Sequence, residues 1–369
     1  MKTQLAAAIA LSLFAGATFA APTFYGEIDV SVDYLPEDNA SPKSDRDVVE
    51  VNSNSSFIGL KGDEKLTERL SALYQAEFTI NVDDGDANSD TFVPRNLFVG
   101  LKDAKLGAVK LGKIDTPVKQ LSAYVDTFNN YVDNKADITG IMTGDNRIDN
   151  VVVYESPVFS NVKATALLAT GEASGIAKGK GSSKVAGRGL GDAFSANVVY
   201  DNKKIVAGIG YDKAIPSNFA GVGFLNTVDG EVGNAKAIFA AADTIRAIGR
   251  VNLDEGLVLK ALYQTSEVAI VAGNDAAALN VDDAQGWLVG AEYTLPNAKA
   301  WTVKGQYSQN TTTFKNGAAD FEAQQILVGA DYAFSKQVKA YGHAGLLTLE
   351  KGEAETKQPV AGLGLEYKF

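Results

Sequence analysis

From about residue 23 to the last residue, apolar and polar side chains alternate in successive runs. Residues 69–81 show the pattern most plainly. Leu70, Ala72, Tyr74, Ala76, Phe78 and Ile80 fall on one face, and Ser71, Gln75, Glu77 and Thr79 on the other. A period of two over such a length describes a strand with one face for an apolar medium and one for water, whereas a helix would scatter these residues around its circumference. Comparable runs begin at 23–34 and 48–62 and recur to the end of the chain. Short polar turns fall near 63–67, 103–107, 159–161, 201–203, 254–256, 296–299 and 335–337. Longer connections fall near 35–47, 82–91, 115–149, 171–191, 212–243, 268–284, 310–322 and 350–358. These connections join sixteen strands. Residues 235–242 read equally as a strand pair or a short helix, which leaves eighteen open. Short turns at one end and long loops at the other predict an all-β, antiparallel transmembrane barrel, with short turns and both termini facing the periplasm.

Residues 1–20 stand apart from this pattern. Lys2 is followed by an apolar stretch over residues 5–15 and by Thr18-Phe19-Ala20, which predicts a secretory signal peptide cleaved after Ala20. The apolar stretch falls short of the roughly 20 residues that a membrane-spanning helix needs. The barrel domain is then residues 21–369. Composition agrees with a cell-envelope destination. The chain has no cysteine, 36 glycines, 9 prolines and a formal charge of −11. Without thiols there is neither a disulfide framework nor a thiolate metal site, and an acidic chain offers no footprint for nucleic acid. No cofactor or metal is expected: residues 83–90 are rich in Asp but lack the spacing and distal Glu of a calcium loop.

The longest irregular connection is unusual in content. Residues 115–149 carry Val118, Leu121, Tyr124, Val125, Phe128, Tyr131, Val132, Ile138, Ile141 and Met142, together with Asp115, Asp126, Asp133, Asp137, Asp145, Asp149, Lys119, Lys135 and Arg147. A long loop with so many side chains suited to packing is functional rather than a linker, and it is expected to fold back inside the barrel. The chain ends on Ala361, Leu363, Leu365, Tyr367 and Phe369, one apolar face closed by a terminal aromatic residue.

Several local motifs occur in a fixed order: Phe24-Tyr25-Gly26, Ile58-Gly59-Leu60-Lys61-Gly62, Leu97-Phe98-Val99-Gly100-Leu101, and Leu111-Gly112-Lys113 leading into Thr116-Pro117. Arg147-Ile148-Asp149-Asn150, Tyr154-Glu155-Ser156-Pro157 and the closing Tyr367-Lys368-Phe369 follow. Together they resemble the Gram-negative general porin family, of the neisserial and beta-proteobacterial kind, over essentially the whole mature chain. The resemblance implies a sixteen-stranded barrel, a homotrimer, and passive diffusion of ions and small hydrophilic solutes across the outer membrane. It also implies contact with lipid and lipopolysaccharide, and recognition of terminal Phe369 by the barrel-assembly machinery. The third loop would form an eyelet in which loop carboxylates face a basic arc on the wall. Position by position, Arg95 and Arg147 match that arc, with Lys61, Lys110 and Lys113 as additions, and Glu77 matches an inward glutamate. Asp126, Asp133 and Asp137 are the candidate loop acids, Asp126 first. Phe57 stands where many relatives carry an arginine, which predicts a weakened arc and weak selectivity with a slight cation lean.

Rival readings are a sugar-specific porin, an adhesin or structural barrel acting through its loops, and an outer-membrane enzyme. Enzymatic chemistry would need a histidine beside an activated nucleophile or carboxylate. The chain has one histidine, His343, read as a lining or interface residue with no nucleophile signature nearby. Residues 82–91 are expected to form an acidic exposed loop, and the resemblance implies that it latches onto a neighbouring subunit. Residues 171–191, with Lys178, Lys180, Lys184 and Arg188, are expected to form a flexible, basic extracellular loop that meets lipopolysaccharide phosphates.

Overall fold

A computed structural model describes residues 21–37, 46–83, 92–187, 189–225, 232 and 237–369. The signal peptide, residues 84–91 of the acidic loop and Arg188 lie outside the described residues.

Among the described residues, nineteen strand segments form one sheet. Two of these are the arms of a small hairpin within a loop, Ala177–Gly179 and Ser182–Lys184, and two are halves of one wall strand interrupted at residues 54–56. Sixteen wall strands remain: β1 Thr23–Glu37, β2 Arg46–Ser53 with Phe57–Lys65, β3 Leu70–Ile80, β4 Phe92–Asp103, β5 Gly107–Asp115 and β6 Arg147–Glu155. They continue as β7 Val162–Ala169, β8 Phe194–Asp201, β9 Ile205–Phe219, β10 Ile238–Asn252 and β11 Leu257–Ala269. The circuit ends with β12 Val281–Thr294, β13 Trp301–Phe314, β14 Phe321–Ala333, β15 Val338–Lys351 and β16 Ala354–Lys368. Sequential neighbours pair antiparallel, and β1 pairs with β16 from Glu27↔Lys368 to Tyr34↔Ala361, so the sheet closes without an edge. The seam is finished by reciprocal backbone bonds between Gly26 and Phe369, both 3.1 Å.

Two connections differ in length from their expected form. β10 starts at Ile238 as an ordinary strand, paired with β9 across a bulge beyond Asp212, which settles the count at sixteen. Residues 350–358 form no long loop: β15 and β16 remain paired out to Lys351↔Ala354, with a two-residue turn at Gly352 (φ +64°) and Glu353. Their ladder continues beyond the apolar stretch, so the side chains are polar while the backbone stays extended.

The outer surface keeps large apolar side chains uncovered, such as Val99 at 59% and Leu363 at 73% exposure, as lipid contact demands. The principal buried cluster lies inside the barrel. Leu121, Val125, Phe128, Tyr131, Ile138 and Ile141 of the loop between β5 and β6 pack on Ile248, Leu262, Leu288, Leu327 and Leu347 of the wall. The third loop is therefore folded inward, and it covers the wall from β8 round to β15.

Candidate functional site

The inward loop, residues 116–146, begins with a short helix α1, Pro117–Ser122. The Thr116 hydroxyl accepts the Lys119 N–H at 3.1 Å, and Pro117 occupies a first-turn position where its missing N–H costs nothing. α1 lays Leu121 over Gly208 and Gly210 of β9, where a Cβ would approach the leucine methyls to 2.8 and 3.0 Å. Those glycines make the groove that lets a helix seat against a strand. Further on, Tyr131–Asn134 turns through left-handed residues: Val132 has φ 54°, a strained state for a β-branched residue, and Asp133 has φ 50°. The surroundings hold this turn. Tyr131 stacks on Tyr341 at 4.5 Å and meets His343 at 5.1 Å, while the Asp133 N–H donates to Asn54 Oδ1 at 3.0 Å.

Buried polar anchors fix the loop at either end of the covered wall. Arg246 of β10 is fully buried; its guanidinium pairs with Asp145 at 2.7 Å and donates to Thr143 O and Gln264 Oε1. Asp126 accepts from the Phe128 and Ile138 N–H groups and from Gln306 Nε2 of β13, at 3.0–3.2 Å. Asp137 caps a single 3-10 turn by accepting the Thr139 N–H at 2.9 Å, and also accepts from Asn130. Burial raises the Asp126 and Asp137 carboxyls above the usual range, Asp137 well above it, with the charge of Asp126 adding to the effect.

Between the loop and the remaining wall, β2 to β6, runs a cleft of about 490 Å³. Its charged lining is Arg95, Lys119 and Arg147 with Asp115, Asp137 and Asp145. Each predicted wall cation has a carboxylate at hand except Lys61. Arg95 pairs with Glu77 at 2.8 Å, Arg147 with Asp115 at 3.0 Å, Lys113 with Asp149 at 3.1 Å, and Lys110 with Glu155. Glu77 also accepts from the Tyr25 hydroxyl at 2.9 Å. Lys61 lies over the Tyr25 ring at 4.3 Å, near the start of β1, and like Lys110, Lys113, Glu77 and Phe57 it is outside the cleft lining. The Phe57 ring underlies the Arg95 guanidinium at 4.9 Å. The position thus adds no cation of its own but holds one by a cation–π contact.

The loop acids distribute differently from the expectation. Asp126, the first choice, is only 7% exposed and is absorbed into the anchor with Gln306. Asp133 is exposed beside Lys135, 3.7 Å away, and is not part of the cleft lining. Asp137 lines the cleft but spends its oxygens on backbone N–H groups. Asp115, Asp145 and Lys119 are the charges that the position-by-position match passed over. Arg246 was invisible because an inward arginine on a strand gives no sign of being covered. His343 does not line the channel either: its imidazole is fully buried, 3.2 Å from Asp33, beneath Tyr131.

On the periplasmic side of the loop, a second cavity of about 400 Å³ is bordered by Glu27, Asp29, Glu292, Asp331 and Glu366 with Lys304, Lys339 and Lys368. A closed wall with apolar exterior, a charged interior passage and an inward loop can do one thing chemically: it provides a wet, polar path through a lipid layer.

Known proteins give this arrangement a place. The chain is 26% identical to the major outer membrane protein P.IB of Neisseria sicca, over the full length of both. Its fold is similar to that of an anion-selective porin from Comamonas acidovorans, with TM-score 0.70 and 22% identity over 95% of this chain and 99% of that one. It is likewise similar to the trimer form of OmpT from Vibrio cholerae, with TM-score 0.65 and 15% identity over 95% of this chain and 99% of that one. A sequence model of the family described as Gram-negative porin matches residues 6–352. The chain therefore belongs to the Gram-negative porin family and is a passive channel of the outer membrane for ions and small solutes.

Proposed function

We propose that the cleft between the inward loop and strands β2–β6 is the eyelet of this channel, and that it discriminates weakly by charge. The observation that carries the reading is the mixed lining: Arg95, Lys119 and Arg147 share the passage with Asp115 and Asp145, while Asp137 adds a carboxyl that burial holds toward its neutral form. Cations and anions a few ångströms apart in a low-dielectric surround create a strong local field but little net potential. Polar solutes can orient in such a field, while neither ion sign is excluded. The periplasmic cavity adds a slight preference, because carboxylates outnumber lysines on its border. The Comamonas acidovorans porin is described as anion-selective, and this chain is expected to depart from it. Reversal potentials in planar bilayers under a potassium chloride gradient should show permeability ratios near unity, leaning to potassium. A strongly anion-selective channel would sink the proposal.

Three further parts of the reading follow. The channel works as a homotrimer, supported by the likeness to a porin described in a trimer form, and native gels with and without heating test it. Terminal Phe369, paired to Gly26 and within 5.5 Å of the Phe24 ring, serves as the assembly signal, tested by its removal. The chain has no catalytic role: His343 is its sole histidine and is sealed from solvent, so it cannot reach a substrate proton. Hydrolysis of lipid or peptide substrates by purified protein would contradict this.

A further inference from the structure

The loop between β7 and β8 does not stand free of the barrel. Its arms Ala177–Gly179 and Ser182–Lys184 pair as a small antiparallel hairpin, and Ser183 bridges to Ile148 of β6 in parallel register. Ile176, Val185 and Ala186 are buried with Ile148, Ile215 and Phe239 of the wall. Those wall residues point inward, where a channel strand would otherwise show apolar side chains to water, and the hairpin takes them out of it. Lys178 Nζ lies 5.0 Å from the centre of the Phe239 ring, and the Ile176 N–H donates to Ala272 O at 2.8 Å. The expectation of a flexible extracellular arm is therefore corrected for the described residues: this loop is seated on the inner wall.

Its turn comes down on two wall cations. Arg147 Nη1 donates to Gly181 O at 3.0 Å, and Lys113 Nζ to Lys180 O at 3.2 Å. Ser182 Oγ donates at 2.7 Å to Asp149, the carboxylate that pairs with Lys113. The Arg147 side chain is left only 8% exposed, while Gly181 itself borders the cleft. Gly181 has φ +64°, and a Cβ there would run into the backbone carbonyl of Pro94 and the Val93 side chain. Only glycine brings the turn this close.

We propose that residues 179–182 form a second constriction element, a shelf on the extracellular side of the eyelet that narrows the passage and screens Arg147 and Lys113 from passing ions. The proposal rests on the eyelet reading above. It assigns part of the channel's conductance and charge response to a loop other than the long one.

The test is electrical, on the full-length channel in planar bilayers. Removing residues 177–184 raises single-channel conductance by about 1.5-fold or more, since the shelf no longer narrows the path. Arg147→Gln then changes the chloride-to-potassium permeability ratio at least about two-fold more in that background than in the intact channel, a non-additivity expected of groups in contact. The chain has no cysteine, so Lys180→Cys places a unique thiol on the turn and leaves the hairpin in place should the deletion fail to fold. A bulky neutral methanethiosulfonate lowers the current of that variant. Unchanged conductance in the deletion, a thiol that resists modification, or a modified thiol with unchanged current each overturn the shelf. A wild-type protein that conducts while the variants match it refutes the shelf alone; one that forms no channel in the same bilayers refutes the eyelet reading as well.

Discussion

The two sides of this barrel's interior obey opposite rules. From β8 to β15 the inner wall presents Leu262, Leu288, Leu327 and Leu347, all buried under the loop, and Arg246, the arginine that the loop covers, is sealed against Asp145. From β2 to β6 the inner wall carries Arg95, Lys110, Lys113 and Arg147, each paired with a carboxylate; the first three stay partly open to water, and the turn at Gly181 closes over Arg147. One side is a protein core that happens to lie inside a barrel, and the other is a channel surface. The strands themselves are alike; the loop decides which rule applies. Charge is structural where the loop covers it and functional where it does not.

The sharpest way to break this comparison is Arg246→Ala. It leaves Asp145 buried without its partner, and should cost about 3–5 kcal/mol, read as a lower midpoint of thermal or denaturant unfolding. A wild-type midpoint would mean that the covered side is no core. Leu121→Ala should cost less, about 2 kcal/mol, because the groove made by Gly208 and Gly210 allows the helix to settle into the lost volume. On the open side the expectation inverts. Arg95→Gln should cost less than Arg246→Ala, about 1–2 kcal/mol, because Glu77 keeps the Tyr25 hydroxyl, yet shift the permeability ratio toward potassium by roughly two-fold. Equal effects of Arg95→Gln and Arg246→Ala on the unfolding midpoint would erase the distinction.

The smallest effect concerns pH. The Asp137 carboxyl is raised in the folded loop, so the folded state favours its protonated form. The stability this provides is full below the ordinary carboxylate value of about 4 and is lost as pH rises through the raised one. Asn stands for the neutral acid, so wild type should lie nearest to Asp137→Asn at acid pH and lose stability relative to it as pH rises, measured as paired unfolding midpoints. A wild type that gains stability relative to the variant as pH rises would contradict the assignment.

How much of this was legible beforehand follows the same division. The wall was readable because a period of two is a local property: Gln75 and Glu77 announce the wet face of β3 by themselves. The long loop was readable because Phe128 and Tyr131 had to be buried somewhere. What the loop buried against was not readable, since Leu288 or Leu327 on a strand has the same appearance whether it meets lipid, loop or water. Asp126 was misjudged for that reason: a carboxylate chosen as a charged pole proved to be an acceptor for Gln306 and two backbone N–H groups. Phe57 was noted as a missing charge, but its partnership with Arg95 needed the fold. The hairpin at 177–184 was hidden by composition, because glycine, serine and lysine describe a linker as well as a tight turn.

The seam between Gly26 and Phe369 also governs time. The contact joins the first strand to the last, so until β16 docks, β1 keeps an unpaired edge open to unwanted partners. Contacts of such sequence separation are slow to form. The inward loop inherits the delay, because Tyr131 seats on Tyr341 and His343 of β15, the strand next to the closing one. The passage is therefore built last, after the wall that it divides.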